Sequence, residues 1–119
     1  MIAPSDRVHL DVEDARRLAL SALSSIGYDQ ADATILADHM LDAALCGYEY
    51  SGLPKILQIG ENPKAKLPRT PIRPLRESDV SALLDGGNHS GMIAMQHATG
   101  IAIAKAQQHG FALVGVTNS

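Results

Sequence analysis

The chain has little sulfur and few aromatic side chains. Its 119 residues include one cysteine, one phenylalanine, three tyrosines and no tryptophan. A single cysteine excludes a disulfide within the chain and a cysteine-rich zinc site. So few aromatic rings leave little surface for stacking nucleic-acid bases, and a net charge of -3 provides no basic field for phosphates. We therefore predict no nucleic-acid partner.

Long apolar runs and recognisable targeting segments are also missing. No run approaches the length of about 18 apolar residues that spans a bilayer, and no basic segment followed by an apolar one opens the chain. We therefore expect no membrane contact and a cytoplasmic location, where Cys46 would stay reduced. Cys46 lies on an apolar helix face next to Gly47, so we predict that it is buried by packing rather than used as a nucleophile.

Motifs that carry metal or nucleophilic chemistry do not occur either. The five histidines show no HxH, HxxxH or HExxH spacing, and no GxSxG segment is present. We predict no metal site made by this chain alone. Among the histidines, His89 is the best candidate for a site because it lies in a glycine-rich turn.

The first half of the chain has the pattern of two amphipathic helices. One is predicted to begin near Asp11 and to end at Gly27, and the other to run from about Asp29 to Cys46. Residues 61–79 follow as a proline-rich crossing segment that contains half of the ten lysines and arginines. Such a basic segment marks an anionic ligand, an acidic partner surface, or only a solvated connector.

The second half has the pattern of one βαβ unit. Residues 80–85 and 111–116 are predicted strands, and a helix from about Ser90 to Gln108 joins them, so the strands should be parallel. The turn GGNHSG precedes that helix, where a phosphate could bind, but it lacks GxGxxG spacing, and a tight turn is the favoured interpretation. We predict an α/β fold with an N-terminal helical segment at 1–60, the crossing segment at 61–79, and at 80–119 the first βαβ unit of a domain that continues beyond this chain.

The order of these pieces resembles a known enzyme family. Two N-terminal helices, LDAALCGYEYSGLPKI at 41–56, the proline-rich crossing, ALLDGGNHSG at 82–91 and KAQQHGFALVGVTNS at 105–119 are similar to the N-terminal third of the malate/L-lactate dehydrogenases. These are NAD(P)-dependent reductases of 2-oxoacids and cyclic imino acids. The resemblance implies a non-Rossmann fold, NAD or NADP as cofactor, and a dimer or higher assembly whose active sites lie between domains and receive residues from both subunits.

The family's active-site motif is altered in this sequence. Members carry Ser-His-Gly after the second helix and an arginine shortly afterwards, and the resemblance assigns proton donation to that histidine and carboxylate binding to that arginine. The matching positions are Tyr50, Ser51, Gly52 and Lys55. A hydroxyl does not exchange protons near pH 7 as an imidazole does, so Tyr50 or a relayed water would have to donate. Lys55 keeps the positive charge of arginine without its planar fork.

A further polypeptide is expected to complete the fold after Ser119. In the family, the strand ending GVTNS leads into a segment whose histidine reaches the active site and cofactor. The chain is therefore interpreted as a separate subunit, a truncated piece, or the product of cleavage after Ser119. Cleavage before a Ser, Thr or Cys would expose an N-terminal nucleophile and favour a self-processed two-chain hydrolase of a small cyclic amide that needs no cofactor. Its pocket would contain Tyr50, Ser51, Lys55, His89 and Asn118, with Asn118 or backbone N–H groups stabilising an oxyanion.

The favoured prediction is a malate/L-lactate dehydrogenase-like oxidoreductase that uses NAD or NADP on a small 2-oxoacid or cyclic imino acid. The predicted catalytic residues are Tyr50, Ser51, Lys55 and Asn118, and the predicted substrate-binding residues are Lys55, His89 and Ser119. The hydrolase is the first alternative. The second is a non-catalytic supporting subunit, which would tolerate Ser51→Ala and Lys55→Ala.

Overall fold

A computed structural model describes residues 7–119, which form two compact units, one ending at Ile56 and the other beginning at Leu57. The helices are α1 (Val12–Ile26), α2 (Gln30–Leu45), α3 (Lys55–Glu61) and α4 (Gly91–His109), with 3₁₀ turns at Glu49–Ser51 and Pro63–Lys66. The strands are β1 (Arg73–Glu77), β2 (Ser81–Asp85) and β3 (Leu113–Thr117). The predicted segments at 1–60, 61–79 and 80–119 stay a prediction, and the first six residues lie outside the described ones. No helix in residues 7–119 combines the length and the apolar character needed to cross a membrane.

The first unit is built on two helices that pack against each other, α1 and α2. The carboxylate of Asp11 accepts from the N–H of Glu13 at the start of α1 (3.2 Å), and that of Asp29 accepts from the N–H of Asp32 at the start of α2 (2.8 Å). Gly27 ends α1 in the left-handed conformation, with a φ of 116°. The predicted beginnings and ends of both helices are therefore confirmed. The fully buried residues of these helices are Ala19, Leu23, Leu36, Ala37 and Met40.

The second unit is a three-stranded sheet in the order β1-β2-β3, with α4 packed on it. β2 and β3 are parallel and pair Ser81 with Leu113 and Asp85 with Thr117, which confirms the predicted βαβ unit. Because the two strands are parallel, their carboxyl ends lie at the same edge of the sheet, where ligands bind in α/β proteins. The core of this unit contains Ala82, Leu84 and Ala98, surrounded by the partly buried Ile72, Ile101, Val114 and Val116.

Two elements are not predicted from the sequence: α3, which precedes the proline-rich segment, and β1, which lies within it. α3 ends at Glu61, before Pro63, so no proline interrupts it. β1 pairs with β2 in the antiparallel direction although it contains Pro74. Proline is tolerated there because β1 is an edge strand whose register shifts between Pro74 and Arg76. The sheet therefore has three strands rather than the two of the βαβ unit.

Cys46 is exposed, so the prediction that packing buries it is wrong. The last buried residue of α2 is Leu41, and Leu45 at the end of the helix is 69% exposed. The apolar spacing of the sequence thus continues beyond the part of α2 that has a packing partner.

Candidate functional site

The candidate site is the carboxyl edge of β2 and β3, where backbone hydrogen bonds join the loops that follow the two strands. We call residues 85–90 and 117–119 together the edge loops. The N–H of Gly86 donates to the carbonyl of Thr117 (2.7 Å), and the N–H of Asn88 donates to the carbonyl of Asn118 (3.0 Å). Because these bonds cross from one loop to the other, the position of each loop determines that of its neighbour.

Two glycines allow the edge loops to pack closely. At Gly87, which has a φ of 61°, a Cβ atom would lie 2.0 Å from the carbonyl oxygen of Thr70. At Gly86 it would lie 2.9 Å from the carbonyl oxygen of Asn118. The absence of a side chain at these two glycines therefore allows other parts of the chain to pack closely against them, which supports the interpretation of GGNHSG as a tight turn.

Side chains of this turn bind the segment that precedes β1. Nε2 of His89 donates to the carbonyl of Thr70 (3.0 Å), and Nδ2 of Asn88 donates to the carbonyl of Lys64 (3.0 Å). The N–H of Thr70 in turn donates to the carbonyl of Gly87 (2.9 Å). Because a carbonyl oxygen only accepts, His89 carries a proton on Nε2. The chain itself therefore orients the ring of this predicted substrate-binding residue.

Asp85, the last residue of β2, accepts hydrogen bonds from both edge loops. Its Oδ1 accepts from Nδ2 of Asn118 and from the N–H of Gly87, each at 2.9 Å. The bond from Asn118, followed by that from Gly87, lowers the pKa of Asp85; partial burial opposes this shift, and the charge of Arg73, whose guanidinium lies 3.8 Å from Oδ2, adds to it. Asp85 therefore stays ionised near neutral pH and acts as an acceptor, not as a proton donor.

The predicted site residues of the first unit lie on the turn after α2. We call residues 48–55 the helix-end turn. The N–H of Ser51 donates to the carbonyl of Tyr48 (3.2 Å) within a 3₁₀ turn. Nζ of Lys55, at the start of α3, lies 5.0 Å from the centre of the Tyr50 ring, a cation–π contact. Tyr50 is 69% exposed. The helix-end turn therefore combines an exposed phenol, a serine hydroxyl and a cation.

In the second unit, the predicted residues His89, Asn118 and Ser119 all lie in or next to the hydrogen-bonded edge loops. Their roles in binding and catalysis stay predictions. Asp85 was missed, although a signal for it exists in the sequence. Asp85 ends one parallel strand and Asn118 directly follows the other, and the carboxyl ends of neighbouring parallel strands lie together.

The edge loops can bind polar groups, and they are not arranged to hold a metal. Within residues 7–119, no group of three or more His, Cys, Asp or Glu side chains is placed to bind a metal ion. Ser90 precedes α4 without a side-chain hydrogen bond to the helix, so the first N–H groups of α4 are left for other acceptors. With the amide of Asn118 and the hydroxyl of Ser119, these groups suit a neutral or anionic polar ligand.

The sequence of this chain is similar to those of dehydrogenases. The chain matches the malate/L-lactate dehydrogenase family over residues 10–119. It is 30% identical over 117 residues to the L-sulfolactate dehydrogenase of Methanocaldococcus jannaschii, covering 92% of this chain and 33% of that protein. It is 27% identical over 120 residues to hydroxycarboxylate dehydrogenase B of Escherichia coli (strain K12), covering 92% of this chain and 31% of that protein.

A solved structure of a relative has a similar fold. Malate dehydrogenase from Pyrococcus horikoshii OT3 superposes with a TM-score of 0.87 at 26% sequence identity, over 94% of this chain and 33% of that one. The chain thus spans about a third of the length of the relatives that it matches.

Proposed function

Because the chain belongs to the malate/L-lactate dehydrogenase family, we propose that it forms the N-terminal part of a nicotinamide-dependent oxidoreductase that acts on a small 2-oxoacid or cyclic imino acid. The observation that supports this most is the pair of hydrogen-bonded edge loops at the carboxyl ends of parallel strands, where ligands bind in α/β proteins. Relatives named for hydroxycarboxylates and sulfolactate indicate a substrate with a carboxylate.

The proposed cofactor is NAD or NADP. When bound, the nicotinamide would supply or accept a hydride. The residues that fit it are the polar groups of the edge loops, Asn118 and Ser119, together with the uncapped first turn of α4. The glycines of the turn at 86–87 are occupied by packing within the chain, so they are not proposed to approach a phosphate.

The helix-end turn is proposed to hold the substrate and to supply its proton. Lys55 would attract the substrate carboxylate as a point charge. The hydroxyl of Tyr50, or a water bound near Ser51, would take over the proton transfer that an imidazole performs in the family. An imidazole is a better general acid near pH 7, because its unperturbed pKa lies close to that pH, and positioned acid catalysis contributes about 10²–10⁴-fold in rate.

The test is turnover by the natively purified protein, with any polypeptide that accompanies it. NADH and NADPH are each combined with oxaloacetate, pyruvate and a cyclic imino acid, and loss of the reduced nicotinamide absorbance is followed. We expect slow turnover by the wild type and a rise of about 10²-fold or more in Ser51→His, with Ser51→Ala as the matched control. Absence of turnover in both wild type and Ser51→His would contradict the proposal.

A further polypeptide that continues the fold, in a dimer or higher assembly, is part of the same proposal. It is supported by the length of the relatives, about three times that of this chain. Denaturing intact-mass spectrometry of the natively purified protein tests it by the presence of a second species. If that species began with Ser, Thr or Cys, the self-processed hydrolase would gain support. Full tolerance of Ser51→Ala and Lys55→Ala in an active assembly would instead support the non-catalytic subunit.

A further inference from the structure

The hydrogen bond between Asp85 and Asn118 determines which way the Asn118 amide faces. An ionised carboxylate only accepts, so the group of Asn118 that lies 2.9 Å from Oδ1 of Asp85 is its Nδ2 and not its amide oxygen. Asp85 stays ionised because this bond and the bond from Gly87 both favour its charged form. These two hydrogen bonds therefore exclude the flipped orientation of the Asn118 amide, in which its oxygen would face the carboxylate of Asp85.

The backbone of Asn118 is fixed as well. Its φ is 57°, in the left-handed region that asparagine tolerates, and its carbonyl accepts from the N–H of Asn88. One N–H of the side-chain amide is used by Asp85. Its Oδ1 accepts no hydrogen bond from residues 7–119, and the residue is exposed. The side chain thus presents an acceptor at the carboxyl edge of the strands.

We propose that Asp85 is a positioning residue that turns Oδ1 of Asn118 toward a hydrogen-bond donor of the ligand, and that this donor is the carboxamide N–H of the nicotinamide. The inference rests on the proposed nicotinamide-dependent function, and it adds the direction of the hydrogen bond between Asn118 and the ligand. It gives Asn118 the role of an acceptor, whereas an oxyanion site would need it to donate. A carboxamide matches because it offers N–H groups that a keto group in the same position lacks.

The test compares two dinucleotides on the natively purified protein. One is NADH, and the other is its analogue in which a methyl ketone replaces the carboxamide, so that it can accept a hydrogen bond but cannot donate one. We expect the wild type to bind NADH about two- to tenfold more tightly than the analogue, the range for one neutral hydrogen bond. In Asp85→Asn this preference should fall toward one, because the substitution removes the negative charge that strengthens the bond from Asn118, and the orientation of the Asn118 amide is then held less firmly.

Two further variants make the test specific. Asp79→Asn is the matched control, since Asp79 lies exposed in the turn between β1 and β2, and it should keep the full preference for NADH. Asn118→Gly removes the acceptor while allowing the positive φ, and it should lose the preference even if Asp85→Asn does not fold. The ¹⁵N-detected side-chain amide signal of Asn118 should move on acidification of the wild type as Asp85 takes up a proton, and this movement should be absent in Asp85→Asn.

The outcomes separate this proposal from the proposed function. Equal affinity of the wild type for both dinucleotides would overturn the proposal and leave nicotinamide binding standing. The same holds if Asp85→Asn keeps the preference, or if Asp85→Asn changes only the KM for a hydroxy-acid substrate, which would assign the donor to the substrate hydroxyl. Binding of neither dinucleotide would contradict the proposed function and this inference together.

Discussion

The predicted site residues are held by different kinds of contact in the two units. Those of the second unit lie in the edge loops, and those of the first unit lie in the helix-end turn. In the edge loops, hydrogen bonds join residues that are far apart in the sequence, such as Asn118 with Asp85 and His89 with Thr70. In the helix-end turn, the backbone hydrogen bonds span only a few residues, and Tyr50 and Lys55 meet on an exposed surface. The long-range contact of this turn is an exposed ion pair between Glu49 and Arg7. The difference shows that long-range hydrogen bonds fix the geometry of the proposed cofactor site, whereas short-range hydrogen bonds and one exposed ion pair hold the turn that carries the proposed proton transfer.

The largest expected effect is that of Gly87→Ala on the edge loops. The new Cβ would lie 2.0 Å from the carbonyl oxygen of Thr70, at a φ of 61°. We expect the free energy of unfolding to fall by more than about 3 kcal/mol, because overpacking and backbone strain add. Urea denaturation measures the change.

Gly110→Ala is the control for backbone strain alone. Gly110 also has a positive φ, 92°, but a Cβ there meets no atom within 4 Å. This variant should cost about 1 kcal/mol, the lower end of the range for a non-glycine residue in a left-handed conformation. If the two variants were equally stable, close packing of the edge loops would be the wrong description.

The same substitution should be much milder in the helix-end turn. At Gly52 a Cβ would lie 3.2 Å from Cβ of Ala44, and the φ of -82° is ordinary for alanine. We expect Gly52→Ala to lower the free energy of unfolding by about 1 kcal/mol, because the backbone around Ala44 has to give way by only a few tenths of an ångström. A loss as large as that of Gly87→Ala would remove the difference between the two regions.

A smaller effect is expected from the contact between Tyr50 and Lys55. A double-mutant cycle with Tyr50→Ala and Lys55→Ala should give a coupling of about 0.5–1 kcal/mol in urea denaturation, as for exposed cation–π pairs. Tyr50→Phe keeps the ring and should keep most of the coupling. Strictly additive single variants would show that the two side chains do not interact in solution.

The smallest effect concerns the charge of Asp85, whose side chain is 19% exposed. Its pKa in the folded chain is lowered by the bonds from Asn118 and Gly87, so its stabilising contribution is present above its pKa in the unfolded chain and is lost as the pH falls through the lowered value. The free energy of unfolding of the wild type should therefore decrease more between about pH 5 and pH 2 than that of Asp85→Asn. Parallel pH profiles would contradict the role of Asp85 in joining the loops.

Much of the fold was predictable because its signals are local. Asp11, Gly27 and Asp29 mark helix ends by their own chemistry, and the alternation of helix and strand patterns predicts the parallel pair β2 and β3. β1 was missed because Pro74 argues against a strand, and only its place at the sheet edge allows it. Cys46 is exposed because the packing partner of α2 does not extend to the end of the helix, and the local sequence pattern does not indicate where that partner ends.

The candidate site was predictable only in part, for the same reason. The sequence points to Asn118 and His89 as polar residues in loops at strand ends. The orientation of the Asn118 amide depends on Asp85, which lies 33 positions away, and that of His89 depends on the carbonyl of Thr70. Such partners become visible only when the register of the sheet is known.

Nicotinamide binding is best measured by titrating NADH and NADPH into the natively purified protein and following the fluorescence and the heat. We expect saturable binding of at least one of the two, with one site for each copy of this chain. Absence of both quenching and heat with either nucleotide would contradict the assignment of the edge loops to a nicotinamide-dependent oxidoreductase.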